Sequence, residues 1–177
     1  KKLITDVDEN HLINGRGSKS INMNYELVWD NILDPETLIR VLPGSKDIQI
    51  KEPHLYTGEI NINFGPITGK YDFLVQLTDL VKPISFKLKG SATGSLGTAT
   101  GEGKITLRKT KQSGTILDYY YEVEVSGKIA AIGNRFLNVA SKMILNQVLN
   151  QLTQEISPKN KKLSFWALLI NFFRSRL

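Results

Sequence analysis

The chain contains no cysteine. Disulfides, thiolate nucleophiles and zinc–thiolate sites are excluded, and the redox compartment stays undetermined. Histidine is scarce: His11 and His54 are the only two, which makes a His-rich metal site or a His-based triad a poor expectation. No N-x-Ser/Thr sequon occurs, and no secretory signal opens the sequence. Long apolar runs are missing too. The longest, Leu163 to Phe173, is about half the ~20 residues that a membrane-spanning helix needs. Acidic residues are absent from the last stretch. Residues 1–158 hold 18 Lys and Arg against 17 Asp and Glu, a net of +1, whereas residues 159–177 hold five cations and no acid. The net charge of +6 is therefore a property of the tail. A nucleic-acid-binding domain carries its basic stripe on its own surface, so the distribution argues against nucleic acid.

What is present is regular patterning. The 177 residues suffice for one substantial core plus appendages. Three units are expected: an N-terminal segment 1–14, a domain 15–157 and a cationic-apolar tail 158–177. From Gly15 the chain alternates as a strand. Tyr25, Val28, Trp29, Ile32 and Leu33 then recur at helical spacing behind Asn24, a plausible N-cap. Asp34-Pro35 stops that helix and starts a second, which Pro43-Gly44 ends.

Period-two alternation follows over about six strands, with one apolar and one polar face, the mark of an antiparallel sheet wet on one side. Tyr56, Gly58, Ile60, Ile62 and Phe64 share a face, as do Tyr71, Phe73, Val75 and Leu77. Ile84, Phe86 and Leu88 oppose Lys87 and Lys89; Leu117, Tyr119, Tyr121, Val123 and Val125 oppose Asp118, Glu122 and Glu124. The segment "GSLGTATGEGK" fails the Walker spacing, because Thr98 stands where the first glycine belongs and Ile105 where Ser or Thr is required. It reads as a glycine-bent strand. His54, beside Pro53, reads as an exposed turn residue. After Gly127 the period becomes helical through Ile129, Ile132, Phe136, Val139, Ala140, Met143, Ile144, Val148, Leu152 and Ile156, predicting a helix of nearly 30 residues that ends at Ser157-Pro158.

The expected fold is α+β: a curved antiparallel sheet of about seven strands wrapped around a long C-terminal helix, with two short helices after strand 1. That order is the helix-grip architecture of the START and birch-pollen-allergen (SRPBCC) superfamily. Local residues are more specific. "DPETLIRVLPGSKDI" (34–48), "YTGEININFGPITGKYDFLVQLTD" (56–79), "PISFKLKGSATGSLGTATGEGKITL" (83–107) and "GTILDYYYEVEVSGKIAAIGNRFLNVASKMI" (114–144) together resemble the carbon monoxide dehydrogenase G-subunit family. Pro43-Gly44, Gly65-Pro66-Ile67 with Gly69, and Gly127 followed by Ile132-Gly133-Asn134-Arg135 weigh most. Ser45 stands where such proteins often have cysteine after the Pro-Gly, which argues against thiol chemistry there.

The resemblance implies a non-catalytic accessory protein without a cofactor of its own. It would bind an apolar ligand such as a quinone or lipid and recruit a molybdenum hydroxylase to the inner face of the cytoplasmic membrane. Expected cavity residues are Tyr56, Ile60, Phe64, Tyr71, Phe73, Phe86, Tyr119, Tyr121, Ile132, Phe136, Val139 and Met143, which plain core packing would equally explain, with Arg135 either greeting a polar ligand head or facing solvent. The alternative is a cyclase- or hydratase-like helix-grip enzyme acting on a hydrophobic substrate. It needs an inward carboxylate, and Asp72, Asp118, Glu122 and Glu124 fall on the outer face.

In the tail, Lys159, Lys161, Lys162, Arg174 and Arg176 flank Phe165, Trp166, Leu169, Phe172 and Phe173. That pattern fits an interfacial helix on anionic lipid, a helix in a partner's groove, or a segment folded onto its own or a second copy's surface, as in a homodimer.

Overall fold

The computed structural model describes residues 11–157. Its elements are β1 (His11–Ile21), α1 (Tyr25–Ile32), α2 (Pro35–Val41), β2 (Lys46–Glu52), β3 (Leu55–Ile62), β4 (Gly69–Val81), β5 (Ser85–Gly94), β6 (Gly97–Lys109), β7 (Thr115–Ser126) and α3 (Asn134–Glu155), with 3₁₀ turns at Gly65–Ile67 and Ala130–Ile132. The strands form one antiparallel sheet in the order β1-β7-β6-β5-β4-β3-β2. β2 to β7 make a meander, and β1 closes on β7 with Gly15 opposite Tyr121 and Gly17 opposite Tyr119. This is the expected curved helix-grip sheet with its long helix.

Local chemistry sets the element ends. Asn24 Oδ1 accepts from the Glu26 N–H at 2.8 Å and caps α1. Asp34 Oδ2 accepts from the Thr37 N–H and from Thr37 Oγ1, at 3.0 and 2.8 Å, and caps α2, where Pro35 supplies a φ already suited to a first turn. His54 occupies the β2–β3 turn, exposed and at φ 65°.

Two expectations are corrected. β1 already includes His11 to Asn14, ahead of the expected Gly15, because Ile13 packs inward while Leu12 points out; two adjacent aliphatics hide that alternation. The last helix has 22 residues, not nearly 30. Gly133, at φ 98°, separates the Ala130–Ile132 turn from α3, a conformation that glycine adopts without a Cβ penalty. At ~1.5 Å per residue, α3 spans about 33 Å.

The interior divides into two clusters. One joins Ile21, Val28, Trp29, Phe86, Leu117, Leu149, Leu152 and Ile156, with Trp29 meeting Phe86 edge-to-face at 5.5 Å. The other joins Ile13, Ile62, Ile67, Tyr71, Val125, Leu137 and Ala140. Between them lies the middle of the sheet.

Candidate functional site: a hollow between two cores

Inward positions at the centre of the sheet carry almost no side chain. Gly90 of β5 faces Gly101 of β6, and Ala92 faces Ala99. On either side, Val123 of β7 pairs with Gly101, Val75 of β4 with Gly90, and Phe73 with Ala92. Two rows across the sheet therefore read Val123–Gly101–Gly90–Val75 and Val125–Ala99–Ala92–Phe73; the row beyond the first reads Tyr121–Gly103–Leu88–Leu77, and the row beyond the second is again glycine at Gly97 and Gly94 before Tyr71. The result is a hollow of about 320 Å³, walled by Leu42, Ile60, Phe73, Val75, Leu88, Tyr121 and Val123 over that glycine–alanine floor. Its aliphatic and aromatic walls are half-buried rather than sealed, so solvent-borne molecules reach it. That volume sits at the small end of the ~300–1,000 Å³ typical of ligand sites.

The glycines do more than leave space. A Cβ on Gly101 would lie 2.4 Å from the Glu122 carbonyl oxygen, and one on Gly90 2.7 Å from that of Leu74. The neighbouring strands close in at these points, so the floor is both thin and sharply curved.

A tyrosine–serine pair joins a wall of the hollow to the helix. Tyr121 Oη and Ser141 Oγ lie 2.9 Å apart, linking β7 to α3. Ser141 also donates to the Asn138 carbonyl at 3.0 Å, which leaves the tyrosine to donate to the serine. Gly15 and Gly17 of β1 make room for the Tyr121 and Tyr119 rings, whose atoms a Cβ at either position would strike. These rings stack with centroids 6.4 Å apart.

The expected cavity residues separate into groups. Ile60, Phe73 and Tyr121 line the hollow, with Tyr119 stacked behind. Tyr56, Tyr71 and Phe86 are buried in the clusters. Tyr56 donates to the Leu33 carbonyl at 2.7 Å and Tyr71 to that of Ile67 at 3.0 Å. Burial raises both phenol pKa values, and the Asp34 charge adds to the rise at Tyr56. Phe64 meets Phe136 with ring centroids 6.1 Å apart at the start of α3.

Ile132, Arg135, Phe136 and Val139 border a separate shallow depression of about 410 Å³. Val139 and Met143 are corrections: expected inward, each is 53% exposed, and Arg135 is exposed beside them. The buried face of α3 runs instead through Leu137, Ala140, Leu149 and Leu152. A stripe wide enough to admit either choice made the rotation of the helix ambiguous. The tail residues 159–177 lie outside the described residues.

Acidic side chains stay on the outer face. Arg108 and Ser18 both bond Asp118, holding its carboxyl below the ordinary carboxylate range. Tyr120 donates to Glu122. Glu102 borders the hollow, but its carboxylate lies 3.7 Å from Lys89 Nζ. Among the described residues there is no metal-competent cluster of His, Asp and Glu, and no helix is long and apolar enough to cross a membrane.

The sequence signal for the floor was available in the alternation of residues 90–103. Gly90, Ala92, Gly94, Gly97, Ala99, Gly101 and Gly103 share one face, and Ser91, Thr93, Thr98, Thr100 and Glu102 the other. The smallest side chains on the inward face of paired strands mark a void.

Comparison with known proteins agrees with this fold. A conserved protein from Geobacillus kaustophilus is 32% identical, with a TM-score of 0.79 over 82% of this chain and 95% of its own. A protein of unknown function from Staphylococcus aureus aligns at 14% identity and TM-score 0.66, over 86% and 98% of the two chains. The Zhui aromatase/cyclase of Streptomyces aligns at 11% and 0.63, over 82% and 94%, a likeness of fold alone. No curated protein matches. Residues 17–157 match the family model of the carbon monoxide dehydrogenase G subunit (CoxG), and the chain belongs to that family.

Proposed function

We propose that this protein is a non-catalytic accessory subunit. It binds an apolar small molecule in the central hollow and recruits a carbon monoxide dehydrogenase-type molybdenum hydroxylase to the inner face of the cytoplasmic membrane through residues 159–177. The observation that carries the binding half is the Gly90–Gly101 and Ala92–Ala99 floor, because these paired inward positions carry almost no side chain beneath the walls of the hollow. A hollow of this size takes a bicyclic quinone head or a stretch of acyl chain, with the remainder of an isoprenoid tail outside. Tyr121 is placed to donate to a ligand carbonyl by exchanging its bond to Ser141. Family membership supports the partner, and the tail's five cations beside Phe165, Trp166, Phe172 and Phe173 support the membrane.

The enzymatic alternative needs a general acid or base in the hollow. Tyr121 is a proton donor in the lining, but the one lining carboxylate, Glu102, pairs with Lys89 on the other face, so no carboxylate base accompanies the tyrosine, which favours binding over catalysis. Organic extraction of the purified protein, followed by titration with menaquinone, tests the reading. Co-purifying quinone or lipid, or saturable menaquinone binding, is expected. An empty extract together with no saturable binding overturns it.

A further inference from the structure

α3 carries a face that the core does not use. From residue 125 to residue 154 the chain holds no Asp or Glu, yet it holds Lys128, Arg135 and Lys142 at intervals of seven. Seven residues are close to two helical turns, so Arg135 and Lys142 share one side of α3. Val139 lies between them, with Met143 alongside, both 53% exposed. None of the three cations forms an ion pair among the described residues. This stripe borders the depression at the start of α3 and reaches the hollow only through the cluster between them. Phe136 beside it touches Phe64, and both pack against the same cluster as Ile60, a wall of the hollow.

We infer that this face of α3 docks on an anionic lipid surface, a second contact beyond the tail that brings the hollow to the bilayer. The inference rests on membrane recruitment and deepens it by fixing which side of the domain faces the lipid. Charge complementarity selects the occupant. An apolar groove of a partner would accept Val139 and Met143 but would have to answer the Arg135 and Lys142 charges, with no acid of α3 near them in sequence. An anionic headgroup layer accepts cations and partly inserted aliphatics together. A tail acting alone would tether the domain in any orientation. Two contacts set the orientation, and an apolar ligand then moves between bilayer and hollow with little exposure to water.

The absence of native cysteine makes the test direct. Full-length single-cysteine variants Val139→Cys, Met143→Cys and, at the far end of the β6–β7 hairpin, Lys111→Cys are labelled with an environment-sensitive dye. They are mixed with vesicles of equal parts phosphatidylcholine and phosphatidylglycerol, or of phosphatidylcholine alone. The expected result is a blue shift at 139 and 143, none at 111, and none on neutral vesicles. Removing both charges in Arg135→Gln/Lys142→Gln weakens binding to the anionic vesicles about thirty-fold. Flotation with vesicles but equal signals at all three sites overturns this inference and leaves tail tethering standing. Failure to float overturns both. A shift at 139 and 143 that grows with protein concentration in the absence of lipid overturns it too, and assigns the face to a second copy instead.

Discussion

Replacing Ala99 with isoleucine puts the hollow itself under test. The change adds three carbon atoms to a side chain that faces Ala92 across the floor, and a β-branched residue suits a strand. Two outcomes differ in sign. If the space above Ala99 is empty, each added carbon is buried without displacing anything. At about 0.8 kcal/mol per buried CH₂ the variant gains up to ~2.4 kcal/mol, less about 0.5–1 kcal/mol for lost rotamer freedom. If the space is filled, overpacking costs about 1–3 kcal/mol. For a chain of this length 1 kcal/mol moves Tm by roughly 2–4 °C, so the two cases sit roughly 5–20 °C apart. Differential scanning calorimetry of ligand-free protein decides between them, and menaquinone titration of the same samples completes the assay. The expected variant is at least as stable as the parent and binds at least tenfold more weakly. A variant that melts lower and binds as before would refute the reasoning.

Gly101→Ala, two residues away, should behave in the opposite way, losing about 1–3 kcal/mol in denaturant titration because its Cβ meets the Glu122 carbonyl at 2.4 Å. Asp34→Ala removes the α2 cap and an acceptor for the buried Thr37 hydroxyl, and thermal melts should show a loss of about 1–2 kcal/mol. Asp118→Asn tests the outer-face pair with Arg108. The folded carboxyl titrates below its ordinary value, so its contribution is present above about pH 4 and is lost as pH falls through the lowered value. With side chains 59% and 31% exposed, the pair is screened by solvent and its contribution is small. The difference from wild type should therefore be greatest near neutral pH, shrink with added salt and vanish in acid.

Most of the fold was legible because period-two alternation ran through β3 to β7, interrupted in β4 only between Thr78 and Val81, and because Asn24 and Asp34 are strong caps. Rotation of α3 was not legible. Its apolar residues cover more than half the wheel, and the tertiary choice of Leu137 over Val139 depends on where β1 and α2 approach. Arg135 followed the same uncertainty and lies outside. At the centre of the sheet the difficulty was different. Large aromatic residues mark cavity walls, and so Phe73 and Tyr121 stood out. Gly90 and Ala99 did not, because their contribution is the volume they leave empty. Tyr56 and Tyr71 looked like pocket residues by alternation alone, whereas their hydroxyls answer backbone carbonyls in the core.

The most direct measurement is a crystal structure of the protein grown with a short-chain menaquinone. The account places the ring system over Gly90, Ala92, Ala99 and Gly101, between Phe73 and Val123. Density for the quinone elsewhere, with side chains packed solid across that floor, would contradict it.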